Sequence, residues 1–128
     1  MDAGVASYVS YIALRESVYQ DSVQAWHELQ FEIARKARAD GKWAQIYQLS
    51  RLASWDAVEA SNPGLALAES YVVVSYLAEK YGLDKCIAIY RATNNLGTAE
   101  GALVGEIDLT FGQLEIAVYL WLEETAPF

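Results

Sequence analysis

Apolar residues recur along this chain at helical rather than strand spacing. Val5, Tyr8, Val9 and Ile12 fall three to four positions apart, which predicts a first helix from Val5 to about Tyr19. Asp21 or Ser22 can cap a second helix. Its inner stripe is Val23, Trp26, Ile33 and Ala37, and it stops in a basic turn at Asp40-Gly41. Trp43 to Leu52 reads as a short helix carrying Ile46, Leu49 and Leu52. Ser54 can cap another short turn with Trp55 and Val58, and Asn62-Pro63-Gly64 is a break.

Leu65 to Tyr81 is the most apolar stretch. Leu67, Tyr71, Val74 and Tyr81 share one face, while Val72, Val73, Tyr76 and Leu77 cover much of the rest. A helix apolar nearly all round belongs at the centre of a fold. Gly82 is expected to end it in a left-handed cap. Asp84 can cap the next helix, which should run to about Asn94, before a turn at Asn94-Asn95 and Gly97. Thr98 opens a short helix through Leu103. Thr110 and Gln113 fit a capping box, and the last helix carries Leu114, Ile116, Val118, Leu120 and Leu122 with Tyr119 and Trp121. No alternating strand pattern, internal repeat or low-complexity segment occurs. The expected fold is all-α: one helical domain over 1–128, six to seven helices around the central helix 65–81.

The chain has 128 residues, of which 54% are apolar, and a net charge of -8. That composition excludes disorder and allows one real core. It also excludes a nucleic-acid partner, because no basic stripe is present to release counterions. The densest basic cluster, Arg35, Lys36, Arg38 and Lys42, reads as the solvated last turn of a helix. No run is long and apolar enough to span a membrane. The opening Met1-Asp2-Ala3-Gly4 has no basic segment followed by an apolar one, so no secretory leader is expected there. A single cysteine, Cys86, forbids an intrachain disulfide and reads as a buried, inert thiol.

The chemical candidates thin out on inspection. His27-Glu28-Leu29-Gln30-Phe31 starts like a zinc-peptidase helix, but that helix needs a second histidine one turn on, where this chain has Phe31. With one histidine in all, no His-His-carboxylate site forms, and His27 reads as a surface or boundary residue. Glu28/Glu32 and Glu123/Glu124 read as solvated faces, the first pair spaced for ion pairs with Arg35 and Lys36. Ser7, Ser10, Ser70 and Ser75 lie in helical runs without a nucleophile elbow. Gly97, Gly101 and Gly105 suggest close helix packing rather than a phosphate loop. Trp26, Trp43 and Trp55 would favour a binding groove if exposed together; core packing is the simpler expectation.

Three segments resemble the peptidase MA-like family, zinc metallopeptidases of the gluzincin group. Asp2-Ala3-Gly4-Val5-Ala6-Ser7-Tyr8 resembles the family's (D/N)-E-G-x-A-x-Y. Ala68 to Gly82 resembles A-x-S-x-x-x-x-x-Y-L-x-x-x-Y-G. Gly97 to Leu103 and Thr110 to Glu115 are similar to G-x-x-x-x-A-L and S/T-x-x-x-L-E. The order and spacing match over nearly the whole chain. The resemblance implies the helical part that follows the HExxH helix, zinc and a peptide substrate in the full-length family, and an extracytoplasmic place for an exported parent. It departs at Ala3, where the family's third zinc ligand, a Glu, would stand, and at Asp108, where the family has Gly; no HExxH occurs in this sequence. The chain itself is therefore expected to have no catalytic residues, no metal ligands and no cofactor. Loss of the other half should bare an apolar patch of Val5, Tyr8, Val9 and Ile12, a candidate homodimer contact. The alternative is a non-catalytic helical binding or dimerisation module.

Overall fold

The computed structural model describes residues 2–49, 52–96 and 99–124; within these, the side chains of residues 2, 3, 47, 52, 93–96 and 99 lie outside the description. Ala3 is thus placed on a helix without its side chain, and the Gly97 and Thr98 readings fall outside the described residues. The described residues form helices and no strand. In chain order these are α1 (Asp2–Leu14), α2 (Gln20–Ala39), α3 (Ile46–Leu49), α4 (Leu52–Ser61), α5 (Leu65–Tyr81), α6 (Leu83–Leu96), α7 (Ala99–Ile107) and α8 (Phe111–Glu124). The single turn α3 brings the described segments to eight, one more than expected. No described helix is long and apolar enough to cross a membrane.

α5 is the hub. From Leu65 to Ala78 every residue but Leu67 is buried, and the helix packs against α1, α2 and α6, and more narrowly against α3, α4 and α8. α7 is held mainly through α6. Tyr71, Val72, Val73 and Val74 are the centre of the main core, with Phe31, Ile46, Leu103, Leu114 and Val118 around them. Leu49, Val58, Leu65 and Ala66 form a smaller core under α3 and α4. Each such aliphatic or aromatic side chain contributes roughly 1.5–3 kcal/mol of burial.

The helix ends show which local signals prevail. α2 stops in a Schellman motif: Gly41 N–H donates to Arg38 O (3.2 Å) and Lys42 N–H to Ala37 O (2.7 Å), with Gly41 at φ 71°. The capping box before α8 forms as read: Thr110 N–H donates to Gln113 Oε1 (2.9 Å), and Gln113 N–H to Thr110 Oγ1 (3.2 Å). Along α8 the buried stripe is Leu114, Val118 and Leu122, while Ile116 and Leu120 face solvent.

Other boundaries move. α1 ends at Leu14, because Ser17 Oγ donates back to Leu14 O (2.6 Å) and accepts from Tyr19 N–H (3.1 Å), a local alternative to the helix ladder. α2 then begins at Gln20 without a side-chain cap, so neither Asp21 nor Ser22 is its cap. Ser54 and Asp84 likewise sit inside their helices. Gly82 has φ 92° and ψ 152°, a positive-φ stop but not a left-handed helical one. α6 and α7 continue past Asn94 and Leu103 to Leu96 and Ile107.

The largest departure lies between α2 and α3. Residues 42–45 are not helical, although Trp43 to Leu52 has helical periodicity. Side chains take the N–H groups of Ala44, Gln45 and Ile46. Ala44 N–H donates to Glu69 (2.7 Å), Gln45 N–H to Gln48 (2.9 Å) and Ile46 N–H to Glu115 (3.0 Å). The distant carboxyls satisfy these donors without a helical turn, and α3 begins only at Ile46, whose N–H Glu115 caps.

Candidate functional site

Three helices meet around His27. α1 and α5 first approach at Gly4: a Cβ built there would stand 2.8 Å from both the carbonyl carbon and oxygen of Ser70, and closer still to its Oγ. Gly4 and Ser70 are both buried, so the absence of a side chain is what lets the two backbones touch. One turn on, Tyr8 is buried against Tyr71, ring centroids 6.1 Å apart. Tyr11 follows and stacks on His27 of α2, centroids 4.4 Å apart and planes 15° apart.

His27 is therefore not a surface residue: it is buried at 9% exposure. Its Nδ1 lies 2.5 Å from the Tyr71 hydroxyl, and Phe31 and Trp26 complete an aromatic cage around the pair. Burial chiefly lowers the His27 pKa from its ordinary 6.5, opposed in part by the Glu28 carboxylate. Burial likewise raises the Tyr71 pKa, keeping its proton on the hydroxyl. The neutral imidazole can thus accept from the tyrosine. Behind Tyr11 the polar chain continues to the surface: Tyr11 OH donates to Gln24 (3.2 Å), and Gln24 Nε2 donates to Glu28 (3.2 Å).

This cage carries a pH signature. A histidine whose folded pKa lies below its unfolded value binds its proton more readily when unfolded. Its contribution to stability is complete above about pH 6.5 and is lost as pH falls below that. One proton sets a ceiling of about 1.4 kcal/mol per pH unit. Denaturant midpoints of the wild type and His27→Gln between pH 7.5 and 5 should diverge on the acid side, the wild type falling faster. Parallel curves would exclude this coupling.

The first-helix patch is rearranged. Tyr8 is in the core, and Val5 and Ile12 are half-buried against it; of the four expected patch residues only Val9 is exposed, at 42%. The core takes the Val5–Tyr8–Ile12 side because α1 has α5 to pack on within this chain. An apolar groove lies open between α1 and α2. There Ala6, Ser7, Tyr11, Leu14, Val23 and Trp26 line most of a groove of about 360 Å³. Trp26 and Trp43 otherwise pack on the main core and Trp55 on the smaller one, so the three tryptophans do not share a groove.

The remaining candidates settle individually. Cys86 is buried, its thiol pushed up to about 11 by burial, which keeps it unreactive. Arg38 of the basic cluster pairs with Glu123 at 2.5 Å and lies over the Tyr119 ring. Gly105 has nothing near its missing Cβ, so it serves no close packing. Ser10 and Ser75 donate to the carbonyls of Ala6 and Tyr71 in their own helices. Among the described residues no three His, Cys, Asp or Glu side chains gather as a metal site.

Two acids were not singled out by spacing. Glu69 of α5 has no exposed surface, and with Glu115 of α8 it holds the α2–α3 connection. The available signal for Glu69 was a charge set among apolar residues in the most apolar helix of the chain, well before Glu79 and Lys80 at its end. Comparison with protein-family models, with curated proteins and with solved structures finds no match to this chain.

Proposed function

We propose that this chain is the helical portion of a gluzincin-type zinc peptidase domain, the part after the zinc-binding helix, and that alone it acts as a scaffold rather than a catalyst. The observation that carries this reading is the contact of Gly4 with Ser70. These residues come from two separate segments of the family resemblance, the glycine of (D/N)-E-G-x-A-x-Y and the serine of A-x-S. Here each explains the other: the glycine is small because the serine backbone lies against it. Asp108 adds support. It stands where the family has glycine, and it is the one non-glycine residue with positive φ (57°) among those described, a conformation that favours glycine and tolerates Asp.

The residues present do not fit a catalytic zinc. Ala3 offers no donor atom, Nδ1 of the lone histidine is engaged by Tyr71, and no three ligating side chains converge among the described residues. No hydrolytic step is therefore assigned to this chain.

The test is zinc binding. The chain alone should hold no stoichiometric zinc in equilibrium dialysis. The reading frame upstream of Met1 should encode HExxH. A version extended through that helix should gain zinc and peptidase activity when Ala3→Glu restores the third ligand. Stoichiometric zinc on the short chain, or a frame without HExxH, defeats the reading. The α1–α2 groove favours a second reading, a helical binding or dimerisation module, in which a partner seats on Leu14, Val23 and Trp26. Concentration-dependent sedimentation abolished by Trp26→Ser would support it.

A further inference from the structure

The α2–α3 connection is strapped by two carboxyl groups that reach it from different helices. Glu115 of α8 accepts twice: Oε1 from Trp43 Nε1–H at 2.6 Å and Oε2 from Ile46 N–H at 3.0 Å. Glu69 of α5 accepts once, Oε1 from Ala44 N–H at 2.7 Å. Its Oε2 is buried and has no hydrogen-bond partner among the described residues. The two acids therefore differ in what they can carry. Glu115 has donors on both oxygens and is half-buried, which suits an anion. Glu69 has no exposed surface, a single donor and an anion as neighbour, which suits a neutral acid.

We propose that Glu69 is held as a carboxylic acid that pins Ala44 in the α2–α3 connection, and that loss of its proton loosens this strap. The charged groups facing it agree. From α8 come Glu115 and Tyr119. At the end of α2, Arg38 is turned to the Tyr119 ring, 4.8 Å from its centroid, and to Glu123. On α4, Glu59 is engaged with Gly64 N–H at 3.2 Å. Among the described residues the charge that acts on Glu69 is that of Glu115, an anion. Burial foremost pushes Glu69 up to about 8; the Ala44 N–H opposes this and the Glu115 carboxylate adds to it. Above that pH two anions would share one dry site, and water must enter to solvate them; that hydration opens the connection even though the Ala44 N–H by itself favours the anion.

The experiment is infrared difference spectroscopy on this chain across pH 6 to 9, with amide exchange measured at Ala44 and Ile46. A protonated-carboxyl band should persist at pH 7 and fall to half its intensity near pH 8. Protection of both amides, corrected for the intrinsic pH dependence of exchange, should fall at least tenfold over the same step. Glu69→Gln keeps an acceptor for Ala44 and cannot ionise, so it should abolish both the band and the step. Should that variant not fold, Glu115→Gln supplies the readout: with the neighbouring anion gone, the midpoint should move down in pH. No band at pH 6 to 7, a step retained in Glu69→Gln, or an unmoved midpoint in Glu115→Gln would overturn the proposal.

Discussion

Replacing Gly4 with alanine is expected to lower the stability of the domain by about 3 kcal/mol, although alanine is the better helix former by roughly 1 kcal/mol. The sign follows from what the new methyl group meets. The Ser70 carbonyl carbon and oxygen would lie 2.8 Å from it, and these are backbone atoms in the middle of the most buried helix. They cannot rotate aside, so α1 must lift from α5, loosening Tyr8 and Tyr11 with it. Removing the Ser70 hydroxyl by Ser70→Ala should recover little, because the carbonyl obstacle stays. Gly105→Ala is the control. That glycine lies in α7 with open space at its Cβ, so the same substitution should stabilise by about 0.5–1 kcal/mol. Urea midpoints of the four proteins check the order. A Gly4→Ala protein as stable as the wild type would mean that α1 does not dock on α5 at this distance.

Tyr71→Ala should cost more, about 3–5 kcal/mol. The side chain has no exposed surface and its ring contacts come from both flanking helices: Tyr8 and Tyr11 of α1, Trp26 and Phe31 of α2. Tyr71→Phe separates packing from hydrogen bonding. It keeps the ring, leaves the His27 Nδ1 without the tyrosine, and should cost about 1–3 kcal/mol. A phenylalanine variant that loses as much as the alanine variant would place most of the energy in the hydrogen bond. An alanine variant that loses less than about 1 kcal/mol would remove the cage from the account of stability. Near-ultraviolet circular dichroism during denaturation follows the tertiary packing of this cluster.

These two residues bear on function through the same geometry. In the proposed parent domain α1 begins at the third-ligand position and α5 braces it. The Gly4–Ser70 contact and the Tyr8–Tyr71 contact would then set where that position lies relative to the core. Loss of either would move it. The cage itself is a structural device in this chain, since its one imidazole is committed inward.

The sequence by itself determined the parts that depend on near neighbours. The 3.6-residue spacing of apolar positions marks an all-helical fold, and the nearly unbroken apolar run at 65–81 marks its centre. Asp40-Gly41 ends α2, and Thr110 with Gln113 opens α8, because each signal is satisfied within a few residues. Cys86 sits in an apolar run and is buried. What lay beyond reach depended on groups far apart in the chain. Residues 42–45 have helical periodicity but no helix; carboxyls from α5 and α8 satisfy the N–H groups of Ala44 and Ile46 in the connection that forms instead. His27 looks like a boundary residue until Tyr71 and Tyr11 close on it. Val5, Tyr8 and Ile12 turn inward because α5 is there to receive them, leaving Val9 outside. Periodicity states that a helix has an apolar side; only the packing of other helices decides which residues of it are covered, and which buried donors and acceptors find one another.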